Sequence, residues 1–435
     1  MKEQKNNIKL NIRDKKNNAR LYPIYKMFSW DLIFYYAISF VFLIQTKHFT
    51  IAEVMFTDAL YPIFKIILQI PALTIIDKTG KKNSIIIGNL LLAIFLICLM
   101  ASTSIVHVLI AYIISAFAFA IKNVAESNLL YDSVTQRKGK GMFTKIEELG
   151  ARNYYYLDGI TSMFTGVLFV VNGYLPMIIS LIFVVISIAL STSFKEIYKV
   201  NKDKTKTLKT RIKEYGEEVS TTFKFIIQSK RLQAIMLFII FFEGIVYISY
   251  TLREGLLTEM NVSDEWFAVI LSTLTIISGL FVSLQNIIHT KLKNRALTFM
   301  SIVYICTFIL IGVTCIFISS WWAALIIGLI IFGIQYAIQG PYYTLTTKYL
   351  KSFANSKMRT KIDSTFGLIK SISQFAMAMF ASYLLSITTP KESFLILGCT
   401  FLLILLGILQ WMKPRFGLKP EEYNEKDIKF KQTAK

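Results

Sequence analysis

Apolar runs long enough to cross a lipid bilayer recur along the whole chain, from "LIFYYAISFVFLI" near the start to "FLILGCTFLLILLGILQWM" near the end. A helix needs about 20 apolar residues to cross a bilayer core. A soluble helical bundle would need a polar face on every helix, and most of these runs have none. Charged residues make up 17% of the 435 positions, against about 25% in a soluble domain, and they are bunched between the runs. The pattern specifies an all-α polytopic protein, multi-pass in the cell (cytoplasmic) membrane.

Windowed hydropathy predicts twelve transmembrane helices, near 28–46, 53–76, 84–103, 106–131, 153–173, 175–194, 232–252, 265–288, 296–317, 320–346, 364–386 and 392–412. The cations fix their orientation. With both termini cytoplasmic, 42 of the 48 Lys and Arg fall in segments placed inside, a strong positive-inside bias. Lys47, Arg253 and Lys391 fall outside, while Lys65, Lys122 and Lys370 lie within spans. The net charge of +21 is thus explained by a cytoplasmic face that meets anionic lipid headgroups. No soluble basic module exists to bind nucleic acid. Residues 1–27, polar and basic and without a cleavage site after the first apolar run, read as a cytoplasmic N-terminal tail. Cys98, Cys306, Cys315 and Cys399 all sit in apolar runs without metal-ligand spacing, so neither a metal site nor a disulfide framework is expected.

The longest polar segment, 195–231, leaves six spans on each side. This divides the chain into a bundle at 28–194, a basic linker and a bundle at 232–412, with a cytoplasmic tail at 413–435. In the linker, Leu208, Ile212, Tyr215, Val219, Phe223 and Ile226 recur at helical spacing. Such an amphipathic helix can lie in the membrane interface or serve as a plain tether. A six-plus-six chain suggests two pseudo-symmetric halves. "IIDKTGKKNS" after the second span is echoed by "IIHTKLKNRA" after the eighth, with Lys81 matching Lys293 and His289 standing where Asp77 stands.

The loop "DKTGKK", from Asp77 through Gly80, Lys81 and Lys82, resembles the loop motif of the major facilitator superfamily, and "SNLLYDSV" at the end of span four resembles a phrase of its bacterial efflux-like members. Leu73 stands where the family motif begins with glycine. The resemblance implies two six-helix bundles that alternate access to a central cavity. It implies a gating latch in which Asp77 meets the start of span eleven (Ser364, Thr365), with Lys81 and Asp132 completing the charge cluster. Gly80 permits a turn that side chains resist. Orientation alone accounts for Lys78, Lys81 and Lys82, but not for Asp77.

Ionisable groups inside spans are costly and mark function by default. Asp31 falls on span one, Lys122 and Glu126 four apart on span four, and Glu243 on span seven, three of the spans that line the cavity in a carrier of this kind. They are the candidate proton and substrate groups, together with Gln335 and Gln339 on span ten. A structural ion pair is the competing reading for Lys122–Glu126, and snorkelling for Lys370 and Asp158. Gly340-Pro341 is expected to break span ten. The aromatic residues Phe34, Tyr35, Tyr36, Tyr342 and Tyr343 would suit amphipathic or cationic organic molecules, although ordinary packing accounts for most aromatics in such a chain.

The function that follows is secondary active transport of small organic solutes, driven by protons, with export of drugs or metabolites as the direction. A proton- or ion-coupled nutrient uptake permease is the nearest alternative, ahead of a channel or a membrane-embedded enzyme. The chain has no phosphate-cradling loop, histidine-rich centre or nucleophile elbow. No enzymatic activity and no cofactor are expected. The expected partners are a small-molecule substrate, protons and the bilayer, around a monomer.

Overall fold

The computed structural model describes residues 2–138, 140–197, 207–228, 230–282, 285–292, 295–318, 320–352 and 359–412. Among them every regular element is helical. In chain order these are α1 (Lys2–Ser29), α2 (Tyr35–Val41) with a π-helical turn at Phe42–Thr46, α3 (Ile51–Thr79), α4 (Lys81–Met100), α5 (Ile105–Lys138), α6 (Lys140–Val171) and α7 (Leu175–Thr192). Then follow α8 (Leu208–Gln228), α9 (Lys230–Glu259), α10 (Asp264–Val282), α11 (Gln285–Leu292), α12 (Ala296–Phe317), α13 (Trp321–Ser352), α14 (Arg359–Ile387) and α15 (Pro390–Met412). Ten of these are long and apolar enough to cross a membrane, and two shorter apolar helices cover Tyr35–Thr46 and Val269–Phe281. The shorter two fall on the first and eighth expected spans. On the outer surfaces large apolar side chains stand free, such as Val171, Phe317 and Leu403, as lipid-facing helices require.

The chain divides into two compact units. The first comprises Met1–Thr50, Leu60–Lys213 and Ser263–Ser272, and the second Ile51–Ala59, Glu214–Val262 and Thr273–Lys435. Within the first unit α4 and α5 lie backbone to backbone at Gly88, where an added Cβ would come within 2.8 Å of Lys122 Cβ. In the second unit Gly312 and Gly398 do the same for α12 and α15. A Cβ on Gly312 would meet Leu395 N at 2.8 Å, and one on Gly398 would meet Ile309 N at 2.9 Å. Small residues at such crossings let membrane helices approach closely, which matters where no hydrophobic effect drives them together.

Four features depart from the sequence expectations. The polar stretch before residue 28 is helical, and Asn18, Tyr22, Tyr25 and Lys26 of α1 are buried in the first unit. The helix stops after Ser29 and helical structure resumes as α2, so the apolar stretch at 28–46 is not one continuous helix. Span ten does not break. α13 runs through Gly340 and Pro341 without interruption, because proline forfeits only one backbone hydrogen bond and neighbouring helices hold the rest in place. Arg253, expected in an outer connection, lies inside α9 and is wholly buried.

Candidate functional site

In the first unit the polar site forms where α1 stops. A helix end leaves carbonyl groups without intrahelical partners. Here the Ser29 carbonyl accepts a hydrogen bond from Lys122 Nζ on α5. Residues 30–34 cross the gap irregularly. Phe34 sits at φ 67°, a conformation that side chains resist. It is held there by Ile33 and Tyr154, with Trp30, Leu157 and Phe183 packed around them. Asp31 lies in this gap. Its carboxylate accepts from Leu32 N at 3.1 Å and from the Tyr36 hydroxyl, with Lys122 and Lys65 the nearby cations.

One turn along α5 from Lys122, Glu126 is the most heavily ligated carboxylate in the unit. It accepts from Lys26 Nζ at 2.6 Å, from the Tyr25 hydroxyl and from Ser29 Oγ at 3.2 Å, with Lys122 Nζ at 4.0 Å. Asn89 Nδ2 on α4 in turn donates to the Tyr25 oxygen at 2.9 Å. Lys122 and Glu126 are both fully buried. Burying isolated charges in this way is prohibitive. Lys26 and Lys122 stand against Glu126, with Asp31 also near Lys122, so each of these charges has an opposite one close by. Asp31, Lys122 and Glu126 thus come together as the sequence expects. Lys26, Tyr25 and Tyr22 were missed because they stand in a stretch whose average hydropathy reads as solvent.

In the second unit Glu243 on α9 pairs with Lys370 on α14 at 2.7 Å, and the Tyr343 hydroxyl of α13 also reaches Glu243. Lys370 is therefore paired inside the unit. Gln335 Nε2 donates to Thr307 Oγ1 of α12 at 2.8 Å, while Gln339 lies beside the Tyr304 hydroxyl and, among the described residues, Gln335 Oε1 has no hydrogen-bond partner. Ser249 and the Tyr304 hydroxyl share a hydrogen bond of 2.7 Å. Asp58, in the part of α3 that belongs to this unit, accepts from Thr251 Oγ1 at 2.7 Å.

The loop between α3 and α4 is built as a charge cluster. Gly80 takes φ 84° to start α4, and its carbonyl accepts from Ser84 N and Ser84 Oγ. Lys81 pairs with Asp132 in the last part of α5. Lys82 N donates to Glu196 at 2.8 Å, whose carboxyl burial pushes above its ordinary range while that bond and Lys81 pull it back. Asp77 pairs with Arg211 of α8, a partner the sequence reading did not supply. Lys81 and Asp132 do meet, as the resemblance implied.

Helices that bury charged groups deep in apolar bundles, with a charged loop tying α3, α4, α5 and α8 together, are the build of a solute carrier. Residues 27–350 match the Major Facilitator Superfamily, and the chain belongs to that family. No curated protein matches it in sequence. Among solved structures it is similar to the nucleoside transporter NupG, with TM-score 0.69 at 13% identity over 92% of this chain and 99% of that one. A POT family transporter in complex with 5-aminolevulinic acid gives TM-score 0.63 at 13% identity, over 93% and 96% of the two chains. A bacterial homolog of the human lysosomal transporter Spinster, inward-facing and unoccupied, gives 0.62 at 12%, over 93% and 97%. At such identities the likeness is one of fold alone.

Proposed function

We propose that this chain carries small organic solutes across the cytoplasmic membrane by alternating access, coupled to protons, and that it exports them. The observation that carries the reading is the pairing of each unit's buried glutamate with lysine, Glu126 with Lys26 and Lys122, and Glu243 with Lys370. A buried carboxylate beside a cation is balanced between two influences. Desolvation favours its proton and the cation disfavours it. Opening such a site to one compartment shifts that balance, which is what proton coupling requires. Asp31 in the first unit and Gln335 and Gln339 in the second are the further polar candidates, and the Asp77–Lys82 loop with Asp132 is the gate. Export rests on the resemblance of "SNLLYDSV" to efflux-like members.

Purified protein in liposomes with an imposed pH gradient tests this reading, with a panel of organic solutes of each charge class. Gradient-dependent flux in the wild type, and flux that no longer responds to the gradient in Glu126→Gln or Glu243→Gln, is the expected result. Flux that ignores the gradient in the wild type would sink the coupling. Accumulation on the side opposite to export would make the protein an uptake permease.

A further inference from the structure

Arg253 is the largest fully buried side chain in the second unit and belongs to none of the ion pairs described above. Its guanidinium is enclosed by aromatic rings, 4.5 Å from the Tyr336 centroid, 5.2 Å from Tyr250 and 5.8 Å from Phe332. One nitrogen, Nη2, donates to the Tyr336 hydroxyl at 2.8 Å. Among the described residues the other two, Nε and Nη1, are buried with no hydrogen-bond partner. Glu254 is next in the chain, but adjacent helical residues lie about 100° apart round the axis. Its other electrostatic neighbour is Asp58. Among the described residues no carboxylate comes within 4 Å of the guanidinium.

A permanently charged group with unmet donors is costly to hold away from water. Cation–π contacts offset part of that cost, worth about 2 kcal/mol for a desolvated pair, yet rings accept no in-plane N–H. Nε and Nη1 share no edge of the guanidinium plane, so an anionic acceptor would meet one of them and offset the positive charge. Along α13, Phe332, Tyr336, Gln339 and Tyr343 follow one another at helical spacing, and along α9 so do Arg253, Tyr250 and Glu243. A single face thus runs from the bare cation past aromatic rings to the Glu243–Lys370 pair. The ten residues from Glu243 to Arg253 span about 15 Å at the rise of an α-helix, the length of a small amphipathic molecule.

We propose that Arg253 anchors the carboxylate of the transported solute, whose apolar body lies against Tyr250, Phe332 and Tyr336. The proposal rests on the carrier reading above and narrows its substrates to organic acids, where the aromatic residues alone suggest cationic ones.

The test uses the purified full-length protein and three probes of matched shape, 4-phenylbutyrate, its amide and 4-phenylbutylamine, with binding read by calorimetry and by thermal shift. The carboxylate should bind and the amide and amine should not. Arg253→Gln should weaken carboxylate binding by about tenfold or more, the scale of a charged hydrogen bond, and Arg253→Lys should restore part of it. Because losing Arg253 can disturb folding, Tyr336→Phe serves as a second variant. It keeps the ring and removes the acceptor of Nη2, and it should change affinity for the acid without creating affinity for the amine. Equal binding of all three probes, no binding of the acid, or full binding of the acid by Arg253→Gln overturns the proposal. Liposome flux separates the two readings. Flux confined to amines or neutral solutes leaves the carrier and removes the anchor. Carboxylate binding without flux of any solute leaves the anchor and removes the carrier.

Discussion

Lys26 carries its ammonium into a wall of rings, 4.6 Å from the Trp30 centroid and 6.0 Å from that of Tyr22, and meets Glu126 at 2.6 Å. Removing one partner of a buried pair strands the other charge, which costs about 3–5 kcal/mol, whereas removing both is nearly neutral. Lys26→Met should therefore lower the melting temperature of the detergent-solubilised protein markedly, and Lys26→Met with Glu126→Gln should recover most of the loss. A double variant no better than the single one would show that Lys26 is not paired as described. Gly88 is tested the same way. Its missing Cβ lets α4 close on Lys122, so Gly88→Ala should destabilise by about 1–3 kcal/mol, the usual cost of overpacking. At this scale the sequence was informative about charges that sit in apolar surroundings, as Asp31, Lys122 and Glu126 do. It was silent where the compensating partner is remote. Lys26 is about a hundred residues from Glu126, and Arg253 owes its place to rings on α13, so both read locally as ordinary solvent-facing cations.

Element boundaries follow the same logic. Long uniform runs such as α12 and α15 begin and end close to where hydropathy places them. The start of α15 is also written locally, with Thr389 donating from its N–H and its hydroxyl to Glu392 at 2.9 Å and Pro390 in the first helical position. The break between α1 and α2 is not written locally. No glycine or proline marks residues 30–34. The irregular turn survives because Lys122 satisfies the Ser29 carbonyl and the aromatic cluster fixes Phe34. α8 was legible as a helix from its apolar stripe, but its anchor was not, since the Arg211–Asp77 pair joins segments far apart in sequence. Asp77 is more than one-third exposed, and pairs of that kind contribute about 1 kcal/mol or less. Asp77→Asn should accordingly leave insertion and melting temperature nearly unchanged while reducing flux, and Arg211→Gln should reproduce it. Combining the two should add little further loss. Additive losses would mean that the two residues act separately, and unaltered flux in Asp77→Asn would remove the loop from the gate.

For the whole molecule, charge decides how the helices are threaded. The connection between α4 and α5 carries no Lys or Arg, while the linker at 195–231 holds eleven. The positive-inside bias therefore predicts that these two segments face opposite compartments. The assignment hangs on counting α1 and α2 as one interrupted crossing, since a separate crossing for each would invert every later loop and place most of the cations outside. In a background with Cys98, Cys306, Cys315 and Cys399 replaced, single cysteines at Thr103 and Thr210, both exposed, report the two faces. A membrane-impermeant maleimide added to intact cells should label Thr103→Cys and spare Thr210→Cys, which should react only after the membrane is opened. Labelling of both from outside would mean an even number of crossings between them rather than the three of α5, α6 and α7. The reverse pattern would mean that α1 and α2 each cross the membrane.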